Sequence, residues 1–214
     1  PYIETYLAVD GHSVHYKKNG DALYQASIEA SLLFLQGDSI RYFDKFNLLS
    51  PQTADTLNAV SNFTDLHRIS LPNGSYTMEL KIKDNNAPGT KPYMVRQNVI
   101  VNYYTNVISI SDIELINSYS VSEKESPLVK NGYDIVPYVD NFYGANKNTL
   151  KFYCEYYHTK SVLGNTDFLL TYQIVNFESH RIVDANSNFS KQSPKDVGIL
   201  LTEFDITDLP SGNY

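Results

Sequence analysis

The chain has no tryptophan and a single cysteine, Cys154. One cysteine excludes an intrachain disulfide, so any folded domain here rests on sheet packing rather than on covalent staples. Cys154 lies in the apolar run Lys151-Phe152-Tyr153-Cys154-Glu155-Tyr156-Tyr157. It reads as a small buried hydrophobe, because no helix start or histidine arrangement nearby points to an activated thiol. No apolar run is long enough to span a bilayer, so the chain contains no transmembrane helix. A basic stripe is missing too. The formal net charge is -7 and the lysines are scattered, which argues against a nucleic-acid partner.

Catalytic signatures are equally absent. There is no His-Glu-x-x-His, no Cys/His cluster, no Gly-x-Ser-x-Gly elbow and no glycine-rich phosphate loop. His12 and His15 fall in an expected strand. Three apart, they face opposite sides and cannot easily share a metal. His67, His158 and His180 are isolated. Asp134, Asp140, Asp184, Asp205 and Asp208 lie near turns without the ligand spacing of an EF-hand. Asp84-Asn85-Asn86 is explained by a hairpin turn. No catalytic, cofactor-binding or metal-ligating residue is assigned, and the chain reads as non-enzymatic.

What is present is sheet-forming sequence. There are 18 tyrosines, and β-branched residues fill the apolar runs. Two examples carry the pattern. Ala26, Ile28, Ala30, Leu32 and Phe34 alternate with Gln25, Ser27, Glu29 and Ser31. Tyr76, Met78, Leu80 and Ile82 alternate with Thr77, Glu79, Lys81 and Lys83. Both predict half-buried strands of period two. Further strands are expected over residues 2–9, 12–16, 40–48, 63–71, 92–104, 110–119, 150–158, 168–177, 180–188 and 197–206. Turns are expected at Asn19-Gly20-Asp21 and residues 141–148, and a polar loop at residues 123–127. Pro137 marks residues 133–139 as an edge or irregular strand.

An internal repeat organises these runs. Leu71-Pro72-Asn73-Gly74-Ser75-Tyr76 returns as Leu209-Pro210-Ser211-Gly212-Asn213-Tyr214. The fold class expected is therefore all-β, with two tandem immunoglobulin-like or fibronectin-like β-sandwiches over residues 1–107 and 108–214. Tyr76 and Tyr214 are candidates for the tyrosine corner of such sandwiches, bonding back to the preceding connection. The second copy stops at its tyrosine, so the second sandwich is expected to lack its last two strands in this chain. A native protein continuing past residue 214, strands donated by a partner, or another sheet closure would each accommodate this. The chain opens at Pro1, as a processed or trimmed product would.

Several stretches resemble a known family. Glu4-Thr5-Tyr6-Leu7-Ala8-Val9-Asp10-Gly11 is similar to the opening of mature GWxTD domain-containing proteins of Bacteroidota, as is Phe43-Asp44-Lys45-Phe46-Asn47-Leu48-Leu49-Ser50-Pro51. So are Ile110-Ser111-Asp112-Ile113-Glu114-Leu115, Lys130-Asn131-Gly132-Tyr133-Asp134 and Val136-Pro137-Tyr138. The resemblance covers most of the chain but not the Gly-Trp-x-Thr-Asp motif itself, which a chain without tryptophan cannot contain. It implies an exported protein of the periplasm or outer membrane with tandem β-sandwiches. In that setting Asp38-Ser39-Ile40 and Asp55-Thr56-Leu57 resemble O-glycosylation sites of the phylum's exported proteins, making Ser39 and Thr56 glycosylation candidates.

The expected function is a structural or interaction subunit of an outer-membrane-associated assembly, linked to protein export or outer-membrane biogenesis. Its partners would be other envelope proteins, with no cofactor. Tyr153 and Tyr157, on one face of a strand with Glu155, are candidate interaction aromatics. The alternatives are a surface carbohydrate-binding module and accessory domains of an enzyme whose catalytic part lies beyond residue 214.

Overall fold

The computed structural model describes residues 2–20, 22–58, 60–123, 129–140 and 142–214, without the side chains of 184–186. Asp21 of the first turn, residues 124–127 of the polar loop, Asn141 and the Asp184 carboxylate lie outside the described residues. The protein is all-β, 56% strand with one short helix, and its sheets are antiparallel. Two compact units divide the chain, Pro1–Tyr103 and Tyr104–Tyr214.

In unit 1, β1 (Ile3–Val9) pairs with β5 (Phe63–Ile69). Beside this two-stranded sheet stands a second one. It contains β2 (Tyr16–Lys18), β3 (Tyr24–Gln36), β4 (Ser39–Leu49), β6 (Gly74–Asp84) and β7 (Tyr93–Val101). β3 is its central strand, paired with β4 on one edge and β6 on the other. The alternation in β3 is why. Ala26, Ile28, Ala30, Leu32 and Phe34 are all buried, on one face. Leu32 and Phe34 meet Ile69 and Leu71 in one cluster, and Ala26 and Ile28 meet Val9 and Phe63 in another, so both sheets of the unit share the core. Fully burying an Ile, Leu or Phe of this row contributes about 1.5–3 kcal/mol. Gly37, at φ +58, makes the tight β3–β4 turn that Gly37-Asp38 predicts.

One expected strand is not formed. Residues 11–13 make a 3-10 turn, because the Asp10 carboxylate accepts the His12 N–H at 2.9 Å and caps the segment. His12 and His15 therefore do not lie on a strand. His12 faces Asp10, while the His15 ring lies 2.9 Å from Asp84.

Unit 2 holds a six-stranded sheet, ordered β10 (Val129–Lys130), β11 (Tyr133–Pro137), β9 (Glu114–Val121), β12 (Thr149–Tyr157) and β15 (Val197–Asp205). The short β8 (Ser109–Ile110) also pairs with β12. A hairpin of β13 (Phe168–Val175) and β14 (Ile182–Gln192) forms the other sheet. Pro137 ends β11 at a register shift between Val136 and Pro137, the irregularity its missing N–H favours. The five-residue helix α1 (Thr159–Leu163) was not foreseen. It is anchored by Thr159, whose buried hydroxyl donates to Lys195 O at 2.8 Å and accepts Lys195 N–H at 2.9 Å.

β12 is buried on both faces at its centre, residues 152–154. Phe152 and Cys154 pack with Ile174, Leu200 and Phe204 on one side. Tyr153 packs with Ile116 and Ile135 on the other, against Ile199 and Leu201. Those four partners belong to β9, β11 and β15, the same sheet as β12. The sheet curls, so its second face covers itself.

Candidate functional site

The two copies of the repeat make the same hydrogen bond. The Tyr76 hydroxyl donates to Pro72 O at 2.8 Å, and the Tyr214 hydroxyl donates to Pro210 O at 2.8 Å. Tyr76 opens the core-facing row of β6 and is 4% exposed, whereas Tyr214 is 42% exposed. Gly74 is tight for a reason of its own: a Cβ there would meet the Gln36 amide at 2.8 Å. Beside the second copy, Phe177 N–H donates to Asn213 O at 2.9 Å, and the Asn213 amide donates to Glu178 at 2.7 Å. These contacts tie the repeat to the turn after β13.

The candidate interaction aromatics are less available than their sequence suggests. Tyr153 is 3% exposed, a correction to its reading as a surface aromatic. The curl of the sheet places its ring against Ile116 and Ile135. Its hydroxyl donates to Glu155 Oε1 at 2.6 Å, and Tyr157, half-buried, donates to Glu155 Oε2. The three do share one face of β12, but their polar ends are turned on one another. Nearby, Lys130 and Glu114 form a buried ion pair, with the ammonium 5.5 Å from the Tyr153 ring centroid.

The remaining polar residues are engaged structurally. His67 stands between two carboxylates, Nδ1 at 3.3 Å from Asp44 and Nε2 at 2.7 Å from Asp65, with its ring against Phe46. His158 contacts Tyr104 O, and His180 sits in the β13–β14 turn at φ +54. The Asp205 carboxylate accepts both the N–H and hydroxyl of Thr207, which hold it below the usual carboxylate range. Among the described residues no group of three or more His, Cys, Asp or Glu side chains is arranged to hold a metal. Burial, with the adjacent Glu155 charge, pushes the Cys154 thiol up to about 11. Ser39 is exposed at the head of β4. Thr56 is half-buried in the turn where the Asp55 carboxylate accepts Leu57 and Asn58 N–H groups.

A surface that sequence reasoning did not single out is the outer edge of β7. β7 pairs with β6, and among the described residues no strand pairs with its other side. Val99 and Val101 turn inward to the core. Met94 and Ile100 turn outward, 67% and 78% exposed, and Tyr93 at the strand's start is 66% exposed. Its one charged residue, Arg96, is bonded to Glu79 on β6 at 3.1 Å. Edge strands are ordinarily blunted by charges and prolines. β4, at the opposite edge of the same sheet, carries Arg41, Asp44 and Lys45. The signal was present in the alternation of Met94, Arg96, Asn98 and Ile100, a row with apolar ends that the core does not use.

No family model matches the chain, and no curated protein or solved structure matches it either.

Proposed function

We propose that this chain is a non-enzymatic interaction module, built from two tandem immunoglobulin-like or fibronectin-like β-sandwiches, that binds an extended segment of another protein. The carrying observation is β7: nine residues of edge strand with Tyr93, Met94 and Ile100 exposed and a single, already paired charge. Such an edge offers a row of backbone donors and acceptors to an incoming strand, and the exposed side chains add apolar contact. The equivalent Tyr–Pro bonds of the two units support the sandwich reading, since a tyrosine at that position ties its strand to the preceding turn.

The resemblance to GWxTD domain-containing proteins supports the setting: an exported, periplasmic or outer-membrane-associated assembly serving protein export or outer-membrane biogenesis. Ser39, exposed in a hairpin, is the more accessible of the two proposed glycan acceptors. The test of the reading is co-purification of the native protein from mildly solubilised outer membranes. Met94→Lys/Ile100→Lys should release the partner while leaving the fold intact by circular dichroism. A native protein that elutes alone, or a double variant that keeps its partner, overturns the proposal.

A further inference from the structure

We infer that a cavity in unit 2 binds an acidic sugar, a site independent of the β7 edge. The cavity, about 220 Å³, lies between β9, β12, Tyr138 and residues 143–148. Its walls include Asn117, Tyr138, Tyr143, Lys147, Asn148 and Lys151. Ile116, Asn146 and Thr149 complete the lining, so the surface is mostly amide, hydroxyl and ammonium.

Three observations select the ligand class. The first is charge: the lining has two lysines and no carboxylate, in a chain whose formal net charge is -7. A positive site on an acidic protein favours an anion locally. Lys151 is only loosely satisfied, its ammonium 3.9 Å from Glu203. The second is preparation. The exposed Lys147 ammonium is oriented by two contacts: it donates to Asn117 Oδ1 at 3.0 Å and lies 5.1 Å from the Tyr138 ring centroid. The lining residues are tied down by Tyr138 N–H to Leu115 O, Lys147 N–H to Gly144 O and Ile206 N–H to Asn148 O, each 2.8–2.9 Å. A charge held in place before binding loses little entropy when the ligand arrives. The third is chemistry. Three asparagines, a threonine hydroxyl and lysines beside a tyrosine pair, ring centroids 4.7 Å apart, present donors and acceptors for ring hydroxyls next to apolar aromatic surface. The volume is small for an oligomer and suits one pyranose. A carboxylate on that ring meets Lys147 and Lys151, and its hydroxyls meet the asparagine amides.

The test is a titration of the intact chain with D-glucuronate, followed by nuclear magnetic resonance, alongside neutral D-glucose. The expected result is saturable binding of glucuronate with shifts at Asn117, Tyr138 and Lys147, weaker binding of glucose, and a loss of about tenfold in glucuronate affinity for Lys147→Ala. Asn117→Ala, which leaves the charge in place, should weaken both sugars. Absence of saturable glucuronate binding overturns the proposal. So does equal binding of glucose, or unchanged affinity in a folded Lys147→Ala variant.

Discussion

The Tyr76 hydroxyl donates to the carbonyl of Pro72, four residues earlier, at 2.8 Å. Tyr214 stands in the same relation to Pro210 at the same distance. In each case the bond closes the Leu-Pro-x-Gly-x-Tyr turn on itself. Tyr76 is buried, so deleting its hydroxyl removes a bond that water reaches less readily than at an exposed tyrosine. Tyr76→Phe is expected to cost about 1–2 kcal/mol, read as a lower urea midpoint. Tyr214 is half-exposed and water can replace its hydroxyl, so Tyr214→Phe should cost less than Tyr76→Phe. Equal losses would mean the burial difference does not govern the bond.

Gly198 lies opposite Tyr156 across the β12–β15 pair. A Cβ at residue 198 would fall 2.0 Å from the Tyr156 ring. That ring is fixed by an edge contact to Phe168 and a hydroxyl bond to Gln192, so it has little room to withdraw. Gly198→Ala should destabilise unit 2 by about 1–3 kcal/mol through overpacking. A variant as stable as the parent would show that the ring can move.

The buried Lys130–Glu114 pair makes a sharper prediction. Glu114 Oε1 is already buried without a hydrogen-bond partner. Lys130→Met would strand the whole carboxylate in an apolar setting, at a cost of about 3–5 kcal/mol. Lys130→Met with Glu114→Leu removes both charges and should recover much of that loss. Thermal unfolding of the three proteins measures it, and a double variant as unstable as the single one would contradict the argument.

Alkaline pH should weaken the fold through groups that burial keeps protonated. Burial raises the Cys154 thiol from 9.0 to about 11 and the Tyr143 hydroxyl from 10.0 to about 12. Below pH 9 these groups are protonated in both states and the full stability is present. Between pH 9 and 11 the unfolded thiol ionises while the native thiol keeps its proton, so stability falls as pH rises. Tyr143 continues the loss between pH 10 and 12. Cys154→Ala should therefore show a smaller drop in urea midpoint between pH 8 and pH 10.5. An identical drop would place the effect elsewhere.

Much of this fold could be read from alternation alone. The buried row of β3, residue by residue from Ala26 to Phe34, is the row its sequence predicts, because one face meets a core and the other does not. The same holds for β6, whose Tyr76, Met78 and Leu80 join one cluster and Ile82 another. What escaped depends on partners distant in sequence. Tyr153 looks like a surface aromatic because alternation assumes one solvated face, and the curl of the unit 2 sheet covers that face at Tyr153. His12 and His15 looked like strand residues because the Asp10 cap competes locally with extension. The ion pair of Glu114 and Lys130, 16 residues apart, has no periodic signature at all. The alternation of β7 shows an outward row, but that no strand among the described residues pairs with its outer side follows from the sheet order.

The most direct test of the interaction reading is amide hydrogen exchange across Tyr93–Val101, compared between the isolated protein and the native assembly purified in mild detergent. Strand addition requires that amides on the outer edge of β7, exchanging fast in the isolated chain, become protected in the assembly, while β4 at the other edge changes little. Equal exchange of β7 in both preparations would contradict the proposed function.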